Sequence, residues 1–162
     1  MDYLICTLIG VGATALMDFW AVARKHLLGI PMPNYGLVGR WLAHIPRGRL
    51  RHDSITAAPP VPGERFLGWT AHYLVGIAFA AILPGIWGPA WLHQPTIGPA
   101  LTVGIATLAA PFLVMQPGMG AGIAASRTPR PTAARLQSLV THAIFGLGLY
   151  LAGCATSFLY AP

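Results

Sequence analysis

All ten Lys and Arg residues of the chain fall in two segments, residues 24–65 and 127–135, and almost nothing elsewhere is charged. Four long apolar stretches lie between or outside these segments: residues 3–23, 66–87, 97–115 and 136–160. Each is close to the ~20 residues that a helix needs to cross ~30 Å of hydrocarbon. A helix satisfies its own backbone within one segment, which a lone strand in lipid cannot do. The expected fold is therefore all-α: a polytopic membrane protein forming a four-transmembrane-helix bundle, with residues 1–162 as a single integral-membrane domain.

Charge and composition narrow the function classes. Only 9% of the 162 residues are charged, against roughly 25% in a soluble domain. Four spans use most of the length, so no soluble catalytic domain fits. The net charge of +6 resolves into two basic segments beside spans, which are topology signals and anionic-lipid contacts before they are a nucleic-acid footprint. A bilayer with anionic headgroups is the expected partner, and nucleic acid is not. Basic loops stay in the cytoplasm, so residues 24–65 and 116–135 are expected there, with both termini outside. Residues 1–23 carry Asp2 where a cleaved leader would have a positive region, and Arg24-Lys25 follows, so they read as a retained span. Cys6 and Cys154, the two cysteines, fit free apolar thiols better than a disulfide.

The first basic loop has its own pattern. Leu37, Val38, Trp41, Leu42 and Ile45 recur at spacings of one, three and four, with Arg40 and His44 opposite. This predicts a short interfacial helix over 36–45, anchored by Trp41. Arg40, Arg47, Arg49 and Arg51 are the expected contacts to anionic lipid; a solvated loop that only sets topology is the plain alternative. Ala57 to Gly63, with three prolines, reads as an extended linker. Trp87 and Trp91, around the tight turn after the second span, read as an aromatic belt.

Within the spans, three ionisable residues share a depth. His72 follows Arg65 by seven residues, His142 follows Arg135 by seven, and Asp18 precedes Arg24 by six. At roughly 1.5 Å per residue all three lie about 9–10 Å inside the basic face. A carboxylate at mid-span costs about 2.5–3.5 kcal/mol to insert, so such groups face the bundle interior and find partners. A cluster of Asp18, His72 and His142 would suit a proton or ion path. A divalent metal such as zinc or iron is a second reading, because imidazole and carboxylate are its ligands. Interhelical hydrogen bonding with no further role is the third. No metal site is assigned and no cofactor is expected on this pattern alone.

The third span ends in Met115-Gln116-Pro117-Gly118-Met119-Gly120-Ala121-Gly122-Ile123. Gln116, Pro117, Gly118, Gly120 and Gly122 interrupt a helix while the segment stays apolar. Irregular backbone at membrane depth is tolerated when it is buried or lines a cavity; a wide turn is the simpler account. Spans two and four share a register, Arg65-His72-Gly76 against Arg135-His142-Gly146, and Gly12-Ala13-Thr14 corresponds loosely to Ile105-Ala106-Thr107. This hints at two halves of two helices each, a parallel repeat. Gly76, Gly146, Gly148 and Gly153 give smooth faces for packing within the chain or for a homo-oligomer.

The run from Met115 to Pro129, the run from Arg135 to Leu151 and Gly12-Ala13-Thr14-Ala15-Leu16-Met17-Asp18 resemble a bacterial membrane-protein family, domain of unknown function 2938. The resemblance covers nearly the whole chain. It implies a bacterial inner-membrane protein of one domain and supplies no activity or site. The expected function is a small inner-membrane protein handling a proton, ion or small solute. The alternatives are a membrane-embedded, metal-assisted enzyme acting on a lipid or small apolar substrate, and a non-catalytic assembly subunit. The chain lacks paired carboxylates and a nucleophile–base motif, which weighs against an enzyme.

Overall fold

Proline, glycine and a few side-chain caps decide where the helices begin and end. In the computed structural model, residues 2–159 are described. Met1 and residues 160–162, with the last residue assigned to the fourth span, lie outside the described residues. The helices are α1 (Asp2–Leu28), α2 (Tyr35–His44), α3 (Glu64–Trp87), α4 (Ala90–His93), α5 (Ile97–Ala106), α6 (Gln116–Gly118) and α7 (Pro131–Leu159). No strand occurs among the described residues. Four helical stretches, Asp2–Leu28, Glu64–Trp87, Ile97–Gly118 and Pro131–Leu159, are long and apolar enough to cross a membrane.

The ends have local causes. α1 stops at Gly29, whose φ of 66° suits glycine and whose amide donates to Lys25 O at 3.1 Å. Asn34 Oδ1 accepts the Gly36 amide at 3.1 Å and starts α2. Glu64 opens α3, and its Oε2 reaches back to accept the Val61 amide at 3.0 Å. Pro131 stands first in α7, where a missing amide proton costs nothing. The third span is discontinuous: α5 gives way at Thr107, a π-helical turn occupies Pro111–Met115, and α6 follows. Pro111 has no amide proton to offer Thr107 O, so the α-helical ladder cannot run through it.

The chain divides into two compact units. The first contains Met1–Met32, Tyr73–Thr107 and Leu139–Pro162. Its core takes Ile5, Ile9 and Ala13 from one face of α1, with Leu83, Ala100, Val103, Phe145 and Leu149. Glycines set how closely its helices approach. A Cβ on Gly10 would meet Ile77 and Gly76 backbone, one on Gly104 would lie 2.6 Å from Gly146 Cα, and one on Gly148 would lie 2.8 Å from Ala13 Cα. Gly76, Gly146, Gly148 and Gly153 are thus taken up by packing within the chain. Large apolar side chains also point outward, among them Phe19, Leu74, Ile86 and Phe158. Helices apolar on both faces are what lipid solvates well.

One expectation in this unit is corrected. Trp91 is in the core, 4% exposed, instead of in an interfacial belt; α4 folds it inward, and its ring lies against Gly153. Arg24, just past the first apolar stretch, is buried. It is 2% exposed, and its Nη2 donates to Pro31 O at 3.2 Å, because α1 runs on for four residues past it. Cys6 and Cys154 are free thiols.

The second unit contains Pro33–His72 and Leu108–Ser138. α2 lies directly on the first turns of α3: a Cβ on Gly39 would land on Glu64 O, and one on Gly68 would land on Tyr35 O. Residues 52–55 run beside the break in the third span. The His52 amide donates to Gly118 O at 2.9 Å, and the Ile55 amide donates to Met119 O at 3.1 Å. Ala124 and Ala125 adopt φ of 47° and 58°, a left-handed pair without glycine, and Arg135 Nε donates to Ala124 O at 2.8 Å.

Candidate functional site

The ionisable residues of the spans each meet defined neighbours. In the first unit, Tyr73 Oη donates to Asp18 Oδ2 at 3.0 Å, joining α1 to α3. A carboxylate accepting a phenolic proton inside a span has part of its insertion cost returned. Tyr73 escaped the sequence reading. Its place eight residues after Arg65 puts it near the depth of Asp18, so the same depth argument would have found it.

His142 sits where α5 ends. Its Nδ1 lies 3.1 Å from Thr107 Oγ1 and 3.2 Å from Gly104 O, while Thr107 Oγ1 donates to Gly104 O at 2.7 Å. The helix break exposes carbonyl groups, and His142 reaches one of them. The other helix pair is built alike: Thr14 Oγ1 donates to Gly10 O at 2.7 Å, and Thr14 packs on Gly76. Gly10–Gly76 and Gly104–Gly146 are therefore equivalent contacts, each with a threonine three or four residues after the first glycine. The repeat suggested by His72-Gly76 and His142-Gly146 has a physical counterpart in these contacts.

In the second unit, His72 stacks on Tyr35 with ring centroids 4.1 Å apart and planes 25° apart, and it meets Trp69 edge-on at 5.9 Å. Among the described residues, no group of three or more His, Cys, Asp or Glu side chains is placed to hold a metal ion.

The segment from Gln116 to Gly122 is packed. Gly118 is buried beneath Trp41, and a Cβ on Gly120 would strike Asp53 O. Gln116 Oε1 is buried without a hydrogen-bond partner among the described residues. What the glycines admit is thus the 52–55 segment and the Trp41 ring. Trp41 itself donates from Nε1 to Leu50 O at 3.0 Å, which ties the loop together.

The basic loop also sorts differently from its sequence. Arg40 grips Glu64 with two bonds of 2.8 Å and donates to Ala58 O at 3.0 Å. This fork-to-fork pairing holds α2 to α3 and gives the Arg40 guanidinium a carboxylate partner within the chain. Arg47, Arg49 and Arg51 remain exposed. His44 is 5% exposed, and its Nδ1 lies 2.9 Å from His52 Nε2. His52 Nδ1 lies 3.4 Å from Gly118 O. With both rings neutral, His52 Nδ1–H faces that carbonyl and His44 Nδ1–H donates to His52 Nε2. Burial lowers the pKa of His44 first, and the charges of His52, Arg47, Arg49 and Arg40 lower it further.

A family model described as protein of unknown function (DUF2938) matches residues 7–156. No curated protein and no solved structure matches the chain. With nearly all of its length covered, the chain belongs to the DUF2938 family.

Proposed function

We propose that this DUF2938 member is a bacterial inner-membrane protein that passes a proton, ion or small solute through its polar interior. Both termini face the periplasm in this reading, and the basic segments face the cytoplasm. The observation that carries it is the Asp18–Tyr73 hydrogen bond, a carboxylate held by a phenol from a second span-length helix. Ionisable groups at such depth are retained for a task more often than for packing. Two further features support it. The third span is broken, as helices that line transport sites are, and the Gly–Gly contacts repeat between two helix pairs.

The test is flux. Purified protein in liposomes carrying an internal pH dye is given a pH step in the presence of a potassium gradient and its ionophore. Proton flux above that of empty liposomes is expected, reduced roughly tenfold or more in Asp18→Asn, which keeps the shape and removes the charge. Tyr73→Phe, which removes only the hydroxyl, is expected to lower it less. Wild-type flux equal to that of empty liposomes would reject the proton reading. Equal flux in wild type and Asp18→Asn would remove Asp18 from the path.

A further inference from the structure

The second unit carries a cleft of about 480 Å³ lined by His44, Arg47, Arg49, Pro59, Pro60, Val61 and Pro62. Its lining mixes two chemistries. Two arginines and a histidine come from one stretch of chain. Three prolines and a valine come from another, and the prolines have no amide protons. The residues that shape the cleft are fixed. Arg40 and Glu64 clamp the chain on either side of the proline run, through Ala58 O and the Val61 amide. Arg47 Nη1 donates to Ala43 O at 2.7 Å, and Gly48, with φ of 76°, turns the chain between Arg47 and Arg49. His44 Nδ1 is engaged by His52, which leaves Nε2 as the ring nitrogen not used in that bond.

We infer that this cleft binds a phosphate ester that also carries a free hydroxyl, the chemistry of a phosphoglycerol headgroup. Arg47 and Arg49 take the phosphate, since guanidinium forks match its oxygens. His44 Nε2, an acceptor in the neutral ring, accepts a hydrogen bond from the hydroxyl. The proline wall covers the carbon skeleton. An arrangement with two cations, one neutral acceptor and an apolar wall fits a hydroxylated phosphate ester better than a bare inorganic ion, which would leave the wall and the acceptor unused. Arg51, also exposed and basic, does not line the cleft. That separates a built site from a diffuse attraction of the loop to anionic surfaces.

The experiment uses the full chain in phosphatidylcholine nanodiscs, titrated by calorimetry with short-chain phosphatidylglycerol, with glycerol phosphate and with short-chain phosphatidylcholine. Wild type is expected to bind a glycerol phosphate ester at least tenfold more tightly than phosphatidylcholine. The double variant Arg47→Gln/Arg49→Gln should lose that preference, a change of roughly tenfold for each charge-assisted contact. Arg51→Gln should leave affinity within about twofold, as an exposed charge away from the contact does. Arg49→Gln alone keeps the Arg47–Ala43 bond, and it carries the test if the double variant fails to fold. Arginine-dependent binding of phosphatidylglycerol alone assigns the cleft to lipid. Equal binding of glycerol phosphate assigns it to soluble esters of the same chemistry. An equal loss in Arg51→Gln, or no preference over phosphatidylcholine, would overturn the inference.

Discussion

His44 shows how a single residue changes meaning between sequence and structure. On the helical pattern it lies on the polar face of α2, yet it is 5% exposed and bonded to His52. Its ordinary pKa is 6.5, and its surroundings lower it. The unfolded chain therefore binds a proton at this position more readily than the folded one. The stability contributed by the neutral ring is present above about pH 6.5 and is lost as pH falls through the lower folded value. Amides of residues 44–55 are expected to exchange faster at pH 5 than at pH 7.5, after correction for intrinsic rates, as measured by hydrogen–deuterium exchange. In His44→Gln, which cannot titrate, that acid-dependent loosening should disappear. The depth of Asp18 was legible because a charge in a span has a known cost. Its partner Tyr73 lay within reach of the same depth argument, but an uncharged phenol has no insertion cost that singles it out. Arg40 was read as one basic residue among four, since nothing in the spacing ties it to Glu64, 24 residues away.

At the scale of elements, helix existence was the most legible feature, because apolar length alone demands it. The boundaries were shorter than the structure shows: α1 continues to Leu28 and α7 begins at Pro131. Both extensions run into basic sequence, where hydropathy gives no signal but helix propensity persists. The α2 segment, expected over 36–45, forms at Tyr35–His44. Its seat was not legible. An apolar stripe with Trp41 suits a lipid surface as well as a protein one, and the contact with the start of α3 is made beside the stripe, by Gly39 against Glu64 and Gly68. Gly39→Ala is therefore expected to destabilise the unit by about 1–3 kcal/mol or more, because the new Cβ meets backbone that cannot rotate away. Thermal unfolding in detergent measures this. Gly85→Ala, in α3 where nothing lies within 4 Å of the added atom, is the matched control and should not lower the midpoint. A Gly39→Ala midpoint equal to that of the control would show that α2 does not depend on this approach.

At the scale of the whole molecule, the segregation of Lys and Arg makes a firm prediction about orientation. A C-terminal alkaline phosphatase fusion is expected to be active, and a C-terminal fluorescent protein that matures only in the cytoplasm is expected to stay dark. A fusion placed after residue 52 should give the opposite pair of results. The reverse pattern at both sites would invert the topology while leaving the four span-length helices intact. The Gly10–Gly76 and Gly104–Gly146 contacts bear on movement. Neither glycine pair carries a side chain, so the backbones come into direct contact, with the Thr14 hydroxyl seated on Gly76. Sliding one helix along its partner would drive the neighbouring side chains into that narrow seat. Lengthwise travel is thus the motion that these two seats resist.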